Sequence, residues 1–187
     1  MYKIENMKLA PCTSSHFLKL ERIHYVQGGE EKTWDHVQVH DSVAVLIYHK
    51  SREAFVIVKQ FRPPVYLKNN DGFTYELCAG IVDKELGLDE IAQEEILEET
   101  GYAVTLDRIK KITSFYTAVG FAGAKQELYY VVVDDEDKVS QGGGIGTEAI
   151  EVVYLPVHEA KSFILDEGKV KTPGIMFAMT WWFAKLK

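Results

Sequence analysis

The sequence predicts a single domain of α/β or α+β class, with strands and helices interspersed along the chain. Two adjoining stretches, DSVAVLIYH (41–49) and EAFVIVKQF (53–61), are dense in β-branched and aromatic residues, as strands buried on both faces are. A helical stretch over residues 89–100 stops at Gly101, and the chain closes on two further helical patterns. A length of 187 residues suits one sizeable domain, or a core with a small extension.

The first element is a β-hairpin: FLKLERIHYV (17–26) and KTWDHVQVH (32–40) flank a Gly28-Gly29 turn. The two apolar strands follow, separated by a short polar turn. FTYELCAG (73–80) predicts one more strand, ending at a glycine. Residues 81–88 read as a loop, after which Asp89 caps the helix. KKITSFYTA (110–118) and KQELYYVVVDD (125–135) are strands, with DDED (134–137) a solvated turn. A glycine-rich loop, SQGGGIGTE (140–148), leads into the strand AIEVVYLP (149–156). A helix covers 158–166, and Thr172-Pro173 opens the last one as N-cap and N1. There Ile175, Ala178, Met179, Trp182, Phe183 and Leu186 recur at three- and four-residue spacing, which makes a core-facing stripe. Phe177 and Trp181 fall off that stripe.

A net charge of −7 excludes a general nucleic-acid or anionic-membrane binder, since both need a basic surface. The most apolar run, GIMFAMTWWFA, is short of the ~18 residues that span a bilayer. The N-terminal residues lack the apolar run of a signal peptide. Two cysteines, Cys12 and Cys78, without a C-x-x-C pair, point to a reducing, cytoplasmic setting. Cys78, inside an apolar run, reads as a small buried hydrophobe.

The chemistry concentrates in EEILEETGY. At 100° per residue Glu94, Glu95, Glu98 and Glu99 share an arc of roughly 140°. No basic residue four positions away relieves their repulsion. They also occupy the last turn, where the helix dipole disfavours each anion by ~0.3–1 kcal/mol. A solvated acidic face is one reading. A hard divalent cation would reverse both penalties, because Mg²⁺ takes carboxylate oxygens while keeping waters for a phosphate.

From Gly80 to Tyr102 the sequence GIVDKELGLDEIAQEEILEETGY resembles the Nudix box, G-x5-E-x7-R-E-U-x-E-E-x-G-U, where U is a bulky apolar residue. Gly80, Glu95, Ile96, Glu98, Glu99 and Gly101 match at the required spacing. Leu86 stands where the first glutamate belongs and Glu94 replaces the arginine that normally orients the others. VKQFRPPVY followed by YELCAG is similar to the ADP-ribose and sugar-nucleotide pyrophosphatase branch. KTWDHVQVHDSVAVL, AVGFAGAKQ and KTPGIMFAMTWWF look most like its UDP-glucose pyrophosphatase (UDP-sugar diphosphatase) group. The resemblance implies a Nudix α/β/α sandwich with a mixed sheet, spanning 41–187. It also implies an N-terminal antiparallel β extension, 1–40, that dimerises and contributes to base binding.

It further implies Mg²⁺, with Mn²⁺ as an alternative, and hydrolysis of a nucleoside diphosphate sugar by a homodimer. Metal ligands would be Glu95, Glu98, Glu99, Glu148 and the Ala79 carbonyl. Glu98 and Glu148 both remain open as the general base. Glu148 follows a loop flexible enough to swing a carboxylate over the metal, while Gly146 stands where related enzymes often carry another glutamate. Arg62, oriented by Glu76, would clamp the diphosphate, with Gly80 also at the substrate. Trp34 either stacks on the nucleobase or packs across the hairpin. Leu86, Glu94 and Gly146 keep a rival open, a catalytically silent Nudix domain that binds a nucleotide sugar or a metal.

Overall fold

The computed structural model describes residues 4–15 and 18–185. Its first element is the expected hairpin, in which β1 (Lys19–Gln27) pairs antiparallel with β2 (Glu30–Gln38). Gly28 and Gly29, both at positive φ, reverse the chain within two residues. The hairpin is a separate two-stranded sheet. Among the described residues, two hydrogen bonds join it to the body: Val37 N–H to the Phe121 carbonyl and Trp34 Nε1 to the Gly120 carbonyl, each 2.7 Å.

The body is a mixed seven-stranded sheet of β3 (Ser42–His49), β4 (Ala54–Phe61), β5 (Phe73–Glu76), β6 (Cys78–Ile81), β7 (Lys110–Thr117), β8 (Ala124–Val133) and β9 (Glu151–Pro156). β3 runs parallel to β8 and antiparallel to β4. It meets β4 only from Ile47 to His49, then pairs with β6 from Ser42 to Val45. β4 pairs instead with β9 and β5. The two central strands therefore part, and FTYELCAG crosses between them. The single strand expected there is two, broken at Leu77, because its first half pairs with β4 and its second with β3. Leu77, 3% exposed, anchors the break in the core.

Side chains alternate across each strand, so the sheet carries two cores. Val43, Val45 and Ile47 face α2 (Leu88–Thr100), meeting Ile91, Ala92 and Ile96. Ala44, Leu46, Phe55 and Ile57 face α3 (Val157–Leu165) and α4 (Pro173–Lys185). The result is the expected α/β/α sandwich. On α4, Ile175, Ala178 and Met179 are fully buried. Trp182 and Phe183 set their rings 5.1 and 6.4 Å from Phe55. Trp181, off the stripe, still packs against Tyr130 at 5.6 Å, whereas Phe177 is half exposed. Phe17 and Leu186, placed by the sequence on the hairpin and on α4, lie outside the described residues.

Three local expectations change. α2 is capped two residues earlier than expected, by Gly87 and not Asp89, with the Glu90 carboxylate accepting from Gly87 N–H at 2.7 Å. Asp89 therefore sits in the first turn, where its charge favours the dipole. The DDED turn is a paired knot, with Arg52 on Asp135 and Arg108 on Asp137. A short helix, α1 (Pro63–Asn69), lies between β4 and β5 without having been expected.

Candidate metal and substrate site

α2 presents its acidic last turn to β6. Gly101 ends the helix in the left-handed region at φ 73°, where its N–H caps the Leu97 carbonyl. Glu99 turns inward and is only 5% exposed. Its Oε2 accepts from Ala79 N–H at 3.1 Å, and its carboxylate also meets the Cys78 thiol. Backbone N–H and C=O of one strand residue point to the same edge, so the Ala79 carbonyl faces this helix as well. Glu95 lies across Gly80, where any Cβ would collide with its carboxylate. Gly80 thus touches a carboxylate directly.

Electrostatics follow from this crowding. Burial, then the charges of Glu98 and Glu148, pushes the Glu95 carboxyl up to about 7. Burial pushes Glu99 up to about 8, although Ala79 N–H and Cys78 pull it down. Burial, followed by the Glu99 charge, also raises the Cys78 thiol, which suits a structural residue rather than a nucleophile. A group of partly desolvated carboxylates with so little neutralisation fits a hard divalent cation. Glu94 does not join the group. Its carboxylate pairs at 2.5 Å with Lys84, from the loop before α2. Lys84 also places positive charge near Glu95, in the region where the motif arginine is missing. Nothing in the helix periodicity points to a lysine ten positions away.

Arg62 is the N-cap of α1, and Pro63-Pro64 at the next two positions fix where that helix starts. Its Nε and Nη2 each donate to a Glu76 oxygen at 2.8 Å. Glu76 is 8% exposed and also accepts from the Thr74 hydroxyl. The pair raises Arg62, and the charges of Glu99 and Glu148 add to it. Arg62, held by Glu76, therefore lies within electrostatic reach of Glu99 and Glu148. The paired prolines were the available signal for α1.

The loop that carries Glu148 is tied to α2 rather than free to swing. Gly143 N–H donates to the Glu99 carbonyl at 2.8 Å, and Gly144 N–H to the Glu98 carbonyl at 3.0 Å. These are carbonyls that a helix end leaves without partners. Gly142, at φ 69°, has no room for a Cβ against the Glu99 carbonyl. Glu148 is held by Ile145 N–H on its Oε2 at 2.9 Å.

Trp34 is 54% exposed and donates its indole N–H to the Gly120 carbonyl at 2.7 Å. One other group of potential ligands, His49, Asp134 and Asp135, has its donor atoms within 4.8 Å of one another. That spacing could hold a cation. His49 Nδ1, however, accepts from Arg52 N–H at 3.4 Å, and its buried Nε2 lies 3.3 Å from an Asp135 oxygen without a hydrogen-bond partner among the described residues. Arg52 already neutralises Asp135. The glutamates of α2 do not meet that spacing, but Glu95, Glu98 and Glu99 have no ion-pair partner among the described residues.

Layer order, acidic helix and clamped arginine together define the class, an α/β/α hydrolase fold with a carboxylate-rich site. Within it the chain belongs to the Nudix family, whose NUDIX domain pattern matches residues 38–173. It is 36% identical to the uridine diphosphate glucose pyrophosphatase NUDT14 of Bos taurus, aligned over 98% of this chain and 96% of that protein. Identity to the Mus musculus protein of the same name is 32%, over 100% and 97%. The GDP-mannose pyrophosphatase of Pectobacterium atrosepticum is 30% identical over 78% and 76%. The family and the sugar-nucleotide pyrophosphatase branch expected from the motif both stand.

Proposed function

We propose that this chain is a Mg²⁺-dependent hydrolase of the diphosphate bond in nucleoside diphosphate sugars, with Mn²⁺ as an alternative cation. UDP-glucose would give UMP and glucose 1-phosphate; ADP-ribose would give AMP and ribose 5-phosphate. The observation that carries this reading is the meeting of Glu95, Glu99 and the Glu76-held Arg62 around one short strand. The relatives named as pyrophosphatases of uridine diphosphate glucose and GDP-mannose support the substrate class.

Glu95, Glu98, Glu99 and the Ala79 carbonyl would hold the cation, with Glu148 close by. When bound, the cation neutralises phosphate oxygens and acidifies a water. Arg62 spends two N–H groups on Glu76, which leaves three of its five to grip the diphosphate. Glu98 is half-buried and Glu148 exposed, and one of the two takes the proton of the attacking water. Trp34 offers its free ring face to the nucleobase.

The hairpin supports the assembly reading. Leu20 and Val26 are 76% and 68% exposed on a two-stranded sheet, which alone is marginal in water. A second copy of the chain would cover them, so residues 1–40 act as the dimerisation extension of a homodimer.

Rates on UDP-glucose, ADP-ribose, GDP-mannose and a nucleoside triphosphate, with and without Mg²⁺, test the proposal. Mg²⁺-dependent release of a nucleoside monophosphate is expected. The rival, a silent domain, is favoured by Leu86, Glu94 and Gly146 at motif positions. It predicts binding of the sugar nucleotide without release.

A further inference from the structure

On the far side of β6 from α2 lies a cavity of about 430 Å³, a size typical of small-molecule pockets. Small side chains make the room: Ala44, Ala79 and Gly174 line it. Two of its lining residues belong to the site already described. Glu76 holds Arg62, and Ala79 donates to Glu99. A group attached to a phosphate at the acidic helix therefore reaches the cavity by stepping across one strand.

The cavity has a polar inventory that the fold does not use up. Gln126 donates Nε2 to Ser42 Oγ at 3.0 Å, but among the described residues no donor meets its Oε1. Among the described residues the Thr172 hydroxyl, just ahead of α4, makes no hydrogen bond, while its backbone N–H donates to the Tyr75 carbonyl at 3.3 Å. Gly174 leaves Gln126 its place, since a Cβ there would come within 3.2 Å of Oε1. Phe115 and Pro173 add apolar surface. Open acceptors and a hydroxyl beside apolar faces suit a ring that carries hydroxyls at its edge and C–H groups on its faces.

We propose that this cavity takes the sugar half of the substrate, with Gln126 and Thr172 hydrogen-bonding its hydroxyls. The assignment rests on the hydrolase reading above. It also rests on Trp34, which is held at Gly120 outside the cavity lining and leaves the base a separate platform.

Calorimetric titration of the full chain with Mg²⁺ tests it. The probes are glucose 1-phosphate, mannose 1-phosphate and ribose 5-phosphate on one side and UMP on the other. Thr172→Val and Gln126→Leu should each weaken the tightest-binding sugar phosphate about tenfold, as the loss of one hydrogen bond to a hydroxyl does, and Thr172→Ser should restore it. UMP affinity should stay within about twofold. Unchanged sugar-phosphate affinity, a loss confined to UMP, an equal loss of both, or a wild type that binds no sugar phosphate overturns the assignment. If Gln126→Leu fails to fold, the Thr172 pair decides alone. UDP-glucose turnover measured in parallel separates the two claims. Binding through the cavity without turnover would refute the hydrolase reading only, and turnover with insensitive binding would refute the cavity only.

Discussion

Glu99 is the residue on which the proposed chemistry turns. Its carboxyl and that of Glu95 stand at about 8 and about 7, above the ordinary carboxylate value near 4.3. The native chain without a cation thus binds more protons than the unfolded chain between these values, and its stability falls as pH rises toward 8. Melting temperature in chelator should drop from about pH 5 to about pH 8, and Mg²⁺ should raise it more at the upper end. Glu99→Gln should flatten that slope, leave the fold intact and remove the Mg²⁺-dependent stabilisation. Its turnover should fall by more than the ~10–100-fold typical of losing an outer partner of a metal ligand. Near-normal turnover in that variant would contradict the ligand role. Arg62→Lys keeps the charge but loses the planar fork that meets both Glu76 oxygens. A fall in kcat/KM of about 10–100-fold is expected, as for hydrogen bonds to charged groups worth ~1.5–3 kcal/mol.

At the scale of elements, the site is built from the ends of secondary structures that lean on each other. The last turn of α2 offers carbonyls, and the glycine loop ahead of Glu148 answers them with its N–H groups. Gly142→Ala forces both a positive φ and a clash with the Glu99 carbonyl. It should cost about 1–3 kcal/mol of stability and lower turnover, read by denaturant unfolding and initial rates. An unfolding midpoint equal to the wild type's would show that the tie carries no strain. Much of this region was legible in the sequence, because a run of glutamates ending at glycine has few explanations that satisfy both repulsion and dipole. Arg62 with Glu76 was legible as well, from the motif around them. What was not legible depends on distant pairings. The split of FTYELCAG follows from the parting of β3 and β4, which no local pattern encodes. Lys84 finds Glu94 only once the loop folds back. The loop before Glu148 looked mobile from its glycines, yet those same glycines let its backbone approach α2 closely enough to bond.

For the whole molecule, the sandwich supplies a rigid floor and the hairpin an incomplete edge. Alternation along β3 divides its side chains between two buried cores, so residues 42–58 hold the body together and leave the strand ends for chemistry. The hairpin exposes Leu20, Ile23 and Val26, which the proposed homodimer would cover. Light scattering on the purified chain should return twice the chain mass, and Leu20→Lys with Val26→Glu should shift it toward one. A wild-type mass of a single chain would contradict the dimer. In the proposed mechanism the acidic end of α2, not the His49 corner, holds the cation. Crystals grown with Mn²⁺ and a non-hydrolysable sugar nucleotide test it directly through anomalous scattering. The expected peak lies among Glu95, Glu98, Glu99 and the Ala79 carbonyl, beside the diphosphate. A peak found only at His49, Asp134 and Asp135, or none at either place, would contradict it.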